Sequence, residues 1–162
     1  SRVIAMLGRY FEGAIPTPAD CTDADLAVQA AAMKAIADAE AAIEQVAIHE
    51  AIAAVWTLVD ELNNYITVQE PWVLAKSDDT RDRLATVLYT AAEGLRVLAV
   101  ALAPVTPKAT QKLWAALGES SLGSLSSQKL GEAANWGQLK PGAAVTALEG
   151  LFPRIESDTE AK

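Results

Sequence analysis

The chain has 162 residues, a formal net charge of −8 and 51% hydrophobic residues. This length is enough for one domain with a core, and the hydrophobic content is that of a globular chain and not of a disordered one. The negative charge excludes a broad phosphate-binding surface, which needs clustered Lys and Arg. A single cysteine, Cys21, excludes an internal disulfide and a cysteine-based zinc site. No apolar run reaches the roughly 18–20 residues that span a bilayer, so no membrane partner is expected.

Apolar residues recur at helical spacing along most of the chain, which predicts an all-α fold of five helices. The predicted helices span about residues 1–13, 23–47, 49–68, 79–102 and 107–117. Thr22 and Asp25 form a shortened capping box at the start of the second helix. Pro107 suits the first position of the fifth helix, and Gly118 supplies its end.

Side chains expected in the core follow from the same periodicity. On the second helix the predicted apolar face contains Leu26, Ala30, Met33, Ala37, Ala41 and the Ile43–Val46 pair. On the third helix the predicted core stripe contains Ile52, Val55, Trp56, Val59, Leu62 and Ile66. The remaining tryptophans away from a helix break, Trp114 and Trp136, are also expected to pack inside, because large aromatic side chains mostly supply burial.

The C-terminal third is less regular. Residues 118–143 are predicted to be mostly loop with one helical turn near 127–130, and residues 151–156 are expected to dock on the bundle. We assign residues 1–156 to the helical domain and 157–162 to a disordered tail. A helical pattern is already present at Arg2, and Ser1 is not a methionine, so the chain is expected to be a piece of a longer protein.

A proline–tryptophan pair interrupts the helical pattern after Val68. Pro71 blocks further regular helix, and Trp72 follows it directly. A large flat ring at such a corner is either a core plug or a stacking platform. From the residues alone, the core plug is favoured about two to one, since tryptophan mostly contributes burial.

An enzyme active site is hard to assemble from these residues. The one histidine, His49, lies near a predicted helix start, where a surface or packing role is more common than catalysis. The chain contains no Gly-rich phosphate loop, no Glu-x-x-His pair and no defensible Ser/His/Asp or Cys/His set. Asn63 lies beside the apolar stripe of the third helix and is interpreted as a buried polar residue that ties the next loop together.

Two segments together resemble a known family. Asn63-x-Tyr65-Ile66 followed by Pro71-Trp72-Val73-Leu74-Ala75-Lys76 closely resembles the anticodon-binding domain of bacterial methionyl-tRNA synthetases, which are class I enzymes. The opening Ser1-Arg2 and the segments 95–98, 102–107 and 151–156 fit the same family. The resemblance covers essentially the whole chain, and it implies a five-helix anticodon-binding bundle with a long loop and a docked C-terminal tail.

The resemblance implies a small RNA site. Trp72 would stack on an unstacked anticodon base, Arg2 would read the first anticodon base, cytosine, and Arg9 would contact the anticodon as well. Asn63 and Tyr65 would shape the platform, and Pro71 would support it. Stacking of splayed loop bases on aromatic rings is a common mode of RNA recognition. The acceptors O2 and N3 of cytosine suit the donor-only guanidinium, whereas uracil opposes it with N3–H.

Two features depart from the family pattern. The asparagine four positions before the signature arginine would precede Ser1, and Thr67 stands where some members carry an acidic residue. Readout of the cytosine is therefore expected to be weaker in this segment, and the contact through the acidic side chain is expected to be lost. The ATP-dependent catalytic domain is also expected to be absent, and the segment itself to need no cofactor or metal. The implied partners are the anticodon loop (CAU) of methionine tRNA and the catalytic domain of the same polypeptide, in a cytoplasmic monomer. The alternative is an acidic all-α protein-interaction module.

Overall fold

The computed structural model describes residues 2–152, and these residues fold entirely into helices and connecting loops. The helices are α1 (Arg2–Tyr10), α2 (Asp23–Glu44), α3 (Ile48–Gln69), α4 (Pro71–Leu74), α5 (Arg81–Leu102), α6 (Pro107–Leu122) and α7 (Leu130–Ala133). Five of them, α1, α2, α3, α5 and α6, have nine residues or more and form the predicted all-α bundle. The remaining two, α4 and α7, have four residues each.

Helix α5 forms the centre of the bundle and contacts α1, α2, α3 and α6. Its residues from Leu84 to Gly94 are buried without interruption, so all of its faces are covered. By length and composition, the span Asp78–Leu102 is apolar enough to cross a membrane, contrary to the expectation from the sequence. However, 89% of its apolar window is buried inside the fold, and core helices pass the same test.

Helix α1 is shorter than predicted. It ends at Tyr10 because Glu12 and Gly13 both adopt a positive φ, of 54° and 74°. The N–H of Gly13 then donates back to the carbonyl of Leu7 at 3.2 Å, which closes the helix. Residues 11–13 therefore form a turn instead of the last helical turn.

Helix α2 starts where the capping residues predict, but it buries a different face. Leu26 and Met33 of the predicted stripe are 51% and 60% exposed, so the predicted stripe is wrong. The buried residues are Asp25, Val28, Ala32, Ala35, Ile36, Ala39 and Ala42. Alanine occurs on every side of the helix, so the sequence does not show which face is buried. In the structure, the buried face is the one that contains Asp25. The helix ends at Glu44 and not at Ala47, since Val46 adopts a φ of 58°.

Two tryptophans predicted to pack in the core differ in the structure. Trp114 is fully buried, as predicted, and its indole N–H donates to the carbonyl of Gly123 at 2.8 Å. Trp56 is 53% exposed, so its assignment to the core is wrong. It lines an apolar groove between α3, α5 and α6 together with Phe152, which is 74% exposed. Trp136 is half-buried against the core.

The segment after α6 is more ordered than its composition suggests. Gly118 adopts a φ of 107° and kinks α6, which then continues to Leu122. Further along, a buried ion pair between Glu93 and Arg96 of α5 binds the backbone of residues 133–139. The Glu93 carboxylate accepts the N–H groups of Gly137 (3.0 Å) and Leu139 (2.5 Å). Arg96 donates to the carbonyls of residues 133 and 135.

The C-terminal region returns to the loop that follows α1. Ile15 donates to the carbonyl of Ala143 at 2.9 Å and accepts from Gly142 at 2.8 Å, and Val145 donates to Gly13. Of the tail expected to dock, Leu151 packs partly against the core, while Phe152 stays exposed. The predictions for 153–156 and for the tail 157–162 lie outside the described residues.

Candidate nucleic-acid interface

The break between α3 and α4 aims Trp72 outward. Glu70 caps α3 in the left-handed region, with φ 44° and ψ 58°. Pro71 is the first residue of α4 and is buried, so its ring fixes the new chain direction. Trp72 then lies on the outer side of the corner and is 41% exposed. The core-plug interpretation requires an enclosed ring, and the structure does not show one.

Directly beneath this corner, three helices meet at a buried carboxylate. Asp25 of α2 accepts a bidentate pair of hydrogen bonds from the Arg83 guanidinium of α5, at 2.6 and 3.1 Å. The Tyr65 hydroxyl of α3 donates to the same carboxylate. Arg83 also donates to the side chain of Gln69, the last residue of α3, at 2.6 Å. The network therefore fixes the end of α3 one residue before the corner.

The network also shifts the ionisation of its members. Burial alone would raise the pKa of Asp25, but the hydrogen bonds from Arg83, Tyr65 and Thr22 outweigh burial and lower the pKa below its usual range. Burial and the Asp25 charge raise the pKa of Tyr65 well above its usual range. Asp25 is therefore a carboxylate and Tyr65 a neutral donor throughout the neutral pH range.

The three residues proposed as direct contacts lie together in the structure. Arg2, Arg9 and Trp72 line one open groove of about 260 Å³, formed by α1, the end of α3 and α4. Ala5, Met6, Tyr10 and Ile66 complete the lining. Arg2 and Arg9 are exposed, and within residues 2–152 neither forms an ion pair. The groove thus combines an apolar floor, a half-exposed indole and two available guanidinium groups.

The three residues proposed as supports have different positions. Pro71 is the buried first residue of α4, at the corner itself. Tyr65 is 3% exposed and acts through Asp25, so it holds the helices and does not line the groove. Asn63 is exposed, which makes its interpretation as a buried polar residue wrong. It instead lies beside Arg2 in a smaller adjoining depression of about 110 Å³.

Sequence reasoning missed three contributors to this site. Arg83 and Gln69 anchor the corner, yet their spacing of 14 residues across a turn carries no helical signal. Tyr10 lines the groove at the end of α1, and only its proximity to Arg9 along the chain pointed to it. Among residues 2–152 no cluster of three His, Cys, Asp or Glu side chains could hold a metal ion.

Comparison with known proteins bears on what this surface is. A sequence model of the family described as the anticodon-binding domain of methionyl tRNA ligase matches residues 15–162. The chain belongs to this family. It is 47% identical to a methionine–tRNA ligase of Streptomyces coelicolor over 99% of the chain and 31% of that relative. It is 39% identical to the enzyme of Deinococcus radiodurans over 96% of the chain and 22% of that relative.

Solved structures agree with the sequence comparison. The fold is similar to that of methionyl-tRNA synthetase from Mycobacterium tuberculosis in its apo form, with a TM-score of 0.84 and 31% sequence identity. That match covers 96% of this chain and 31% of the solved one. The chain therefore spans about a third or less of the length of the relatives it matches.

Proposed function

We propose that this domain binds the anticodon loop of methionine tRNAs through the groove lined by Arg2, Arg9 and Trp72. It selects tRNAs with the anticodon CAU for aminoacylation, which a catalytic domain of the same polypeptide carries out with ATP. The observation that carries the proposal is the convergence of these three side chains, from two separate parts of the sequence, on one open groove. A cytoplasmic location and a monomeric state stay predictions.

Each part of the groove suits one part of an unpaired loop. Trp72 offers an indole face to a splayed base, which is worth roughly 1–3 kcal/mol per stacked base. Arg2 offers only donors, which match the two acceptors on the pairing edge of cytosine. Arg9 lies seven residues after Arg2 on α1, about 10 Å along the axis, so it reaches a neighbouring nucleotide. The RNA contact is thus local, which is compatible with a net charge of −8.

The acidic protein-interaction module remains the rival function. It would bind a basic partner through the exposed carboxylates of α2 and α3, and the groove would have no part in it. Membership of the anticodon-binding family and the cation-lined groove both favour RNA. The two functions also differ in the sign of the partner's charge, so a single binding experiment separates them.

Replacing Trp72 with alanine tests the proposal. Loss of one base stack is expected to weaken binding of a methionine tRNA by about 5- to 150-fold, with little change in melting temperature. Trp56→Ala is the matched control, because Trp56 is also a half-exposed tryptophan but lines a different groove. The measurement is fluorescence anisotropy with labelled tRNA, combined with thermal unfolding of each variant.

A second arm tests base selection. Changing the first anticodon base from cytosine to uracil should weaken binding to the wild-type protein and should matter much less for Arg2→Ala. If Trp72→Ala binds tRNA as tightly as Trp56→Ala does, the groove is not the RNA site. A large stability loss with unchanged affinity would return Trp72 to a structural role.

A further inference from the structure

Tyr10 is an aromatic residue in the groove to which neither the motifs nor the family resemblance assigns a role. It is the last residue of α1 and is half-buried. Its ring lines the same groove of about 260 Å³ as Trp72, on the wall that α1 forms. The groove therefore has an aromatic ring on α1 as well as one on α4.

The position of Tyr10 is fixed from outside α1. A guanidinium nitrogen of Arg81, at the start of α5, donates to the Tyr10 carbonyl at 2.6 Å. The same guanidinium lies over the ring of the next residue, Phe11, 4.3 Å from its centroid. Phe11 in turn donates its N–H to Leu7 at 3.0 Å. These contacts hold the end of α1, so the backbone that carries Tyr10 is fixed before any ligand binds.

A cationic side chain also lies near the Tyr10 ring. The guanidinium carbon of Arg9 lies 5.7 Å from the ring centroid, within the range of a cation–π contact. Arg9 and Tyr10 both line the groove. The remaining lining, Ala5, Met6 and Ile66, is apolar, so the walls suit the flat faces of bases better than phosphate groups.

We propose that Tyr10 is a second stacking surface for the RNA, so that unpaired bases contact both Trp72 and Tyr10. The inference rests on the proposed anticodon function and adds a specific residue to it. Two platforms on separate helices would orient consecutive bases, whereas Trp72 alone leaves the neighbouring base unsupported. Arg9, resting on the Tyr10 ring, then lies beside the backbone of the stacked nucleotides.

The test compares Tyr10→Phe, Tyr10→His and Tyr10→Leu in the full-length enzyme, with methionine tRNA at pH 8, where an unperturbed histidine is neutral. Stacking needs a π face, so affinity should fall in the order Phe, His, Leu, with Phe within about twofold of wild type and Leu weaker by about fivefold or more. Stability should follow a different order, Phe, Leu, His, because a half-buried site favours apolar side chains. Opposite ranks for histidine and leucine support the inference even if all three variants are less stable.

Two results would overturn the inference. If affinity follows stability, with leucine above histidine, Tyr10 only packs α1. If Tyr10→Leu weakens binding in the wild-type protein but not in an Arg9→Ala background, Tyr10 acts only by holding Arg9 on a phosphate. Trp72→Ala measured in parallel separates the two proposals. If Trp72→Ala binds weakly but Tyr10→Leu binds normally, the second stacking surface is ruled out and the anticodon groove is retained. If both variants bind normally, the anticodon groove is ruled out as well.

Discussion

Replacing Asp25 with asparagine is expected to weaken both the fold and the RNA site, although Asp25 contacts no part of the groove. The substitution keeps the size of the side chain and removes the charge that Arg83 and Tyr65 share. Removing one partner of a buried ion pair costs about 3–5 kcal/mol. The Arg83 side chain is 23% exposed and can recover some hydration, which places the expected loss near the lower value, about 3 kcal/mol.

A loss of this size is readily measured. For a domain of this length it lowers the melting temperature by roughly 6–12 °C and shifts the urea midpoint without changing the slope m. Asp38→Asn is the matched control, because Asp38 is on the same helix and pairs with Lys34 at 2.5 Å, but both side chains are at least half exposed. That substitution should cost about 0.5 kcal/mol or less. Equal effects of the two substitutions would refute the reasoning.

The same carboxylate predicts an acid dependence. The pKa of Asp25 is lower in the folded state than the unfolded value of about 3.9. Its contribution is therefore complete above that value and is lost as the pH falls below it. Wild-type stability should decrease more between pH 4 and 2.5, roughly, than the stability of Asp25→Asn does. Affinity for tRNA at neutral pH should also fall in Asp25→Asn. Arg83 would no longer be held in the orientation in which it donates to Gln69, and that hydrogen bond fixes the corner.

Two further predictions concern stability away from the site. Glu93→Gln should cost about 3–5 kcal/mol in a urea titration and expose the segment after α7 to proteolysis, because both partners of its ion pair are fully buried. Glu132→Gln is the control: its ion pair is exposed, so the same titration should show a loss of less than about 1 kcal/mol. Trp56→Ala should cost only about 1 kcal/mol, against roughly 3–5 for Trp114→Ala, since half of the Trp56 side chain is already in water. A Trp56 value equal to the Trp114 value would contradict its exposed position.

The parts of the fold that local chemistry determines were predictable. The Thr22–Asp25 pair marks the start of α2 correctly, and the N–H of Thr22 donates to the Asp25 carboxylate at 2.7 Å. Pro107 begins α6 as expected. The Pro71–Trp72 pair marks the corner correctly, with Pro71 as the first residue of α4. The residues alone favoured an enclosed Trp72, however, and the ring is 41% exposed. The family resemblance then named the residues that share the groove.

The parts that depend on tertiary partners were not predictable. Trp56 lies in the periodic stripe of α3, but it lines an open groove against α5 and α6 and remains 53% exposed. The faces of α5 cannot be separated by periodicity because neighbours cover all of them. The buried pair Glu93–Arg96 reads as a solvated i,i+3 pair in sequence, and its burial comes from the later segment that it binds. Asp25 was recognised as a cap, while its contacts with Arg83 and Tyr65 span 58 and 40 residues.

The pairing of Ile15 with Gly142 and Ala143 has a consequence for synthesis on the ribosome. Helix α1 carries Arg2 and Arg9 and emerges from the exit tunnel before every other helix described here. The loop that ends α1 acquires its final hydrogen bonds only after residues 142–145 have emerged. Helix α1 therefore acquires its final contacts late, and a nascent chain that stalls before residue 142 would present Arg2 and Arg9 on a helix still free to shift.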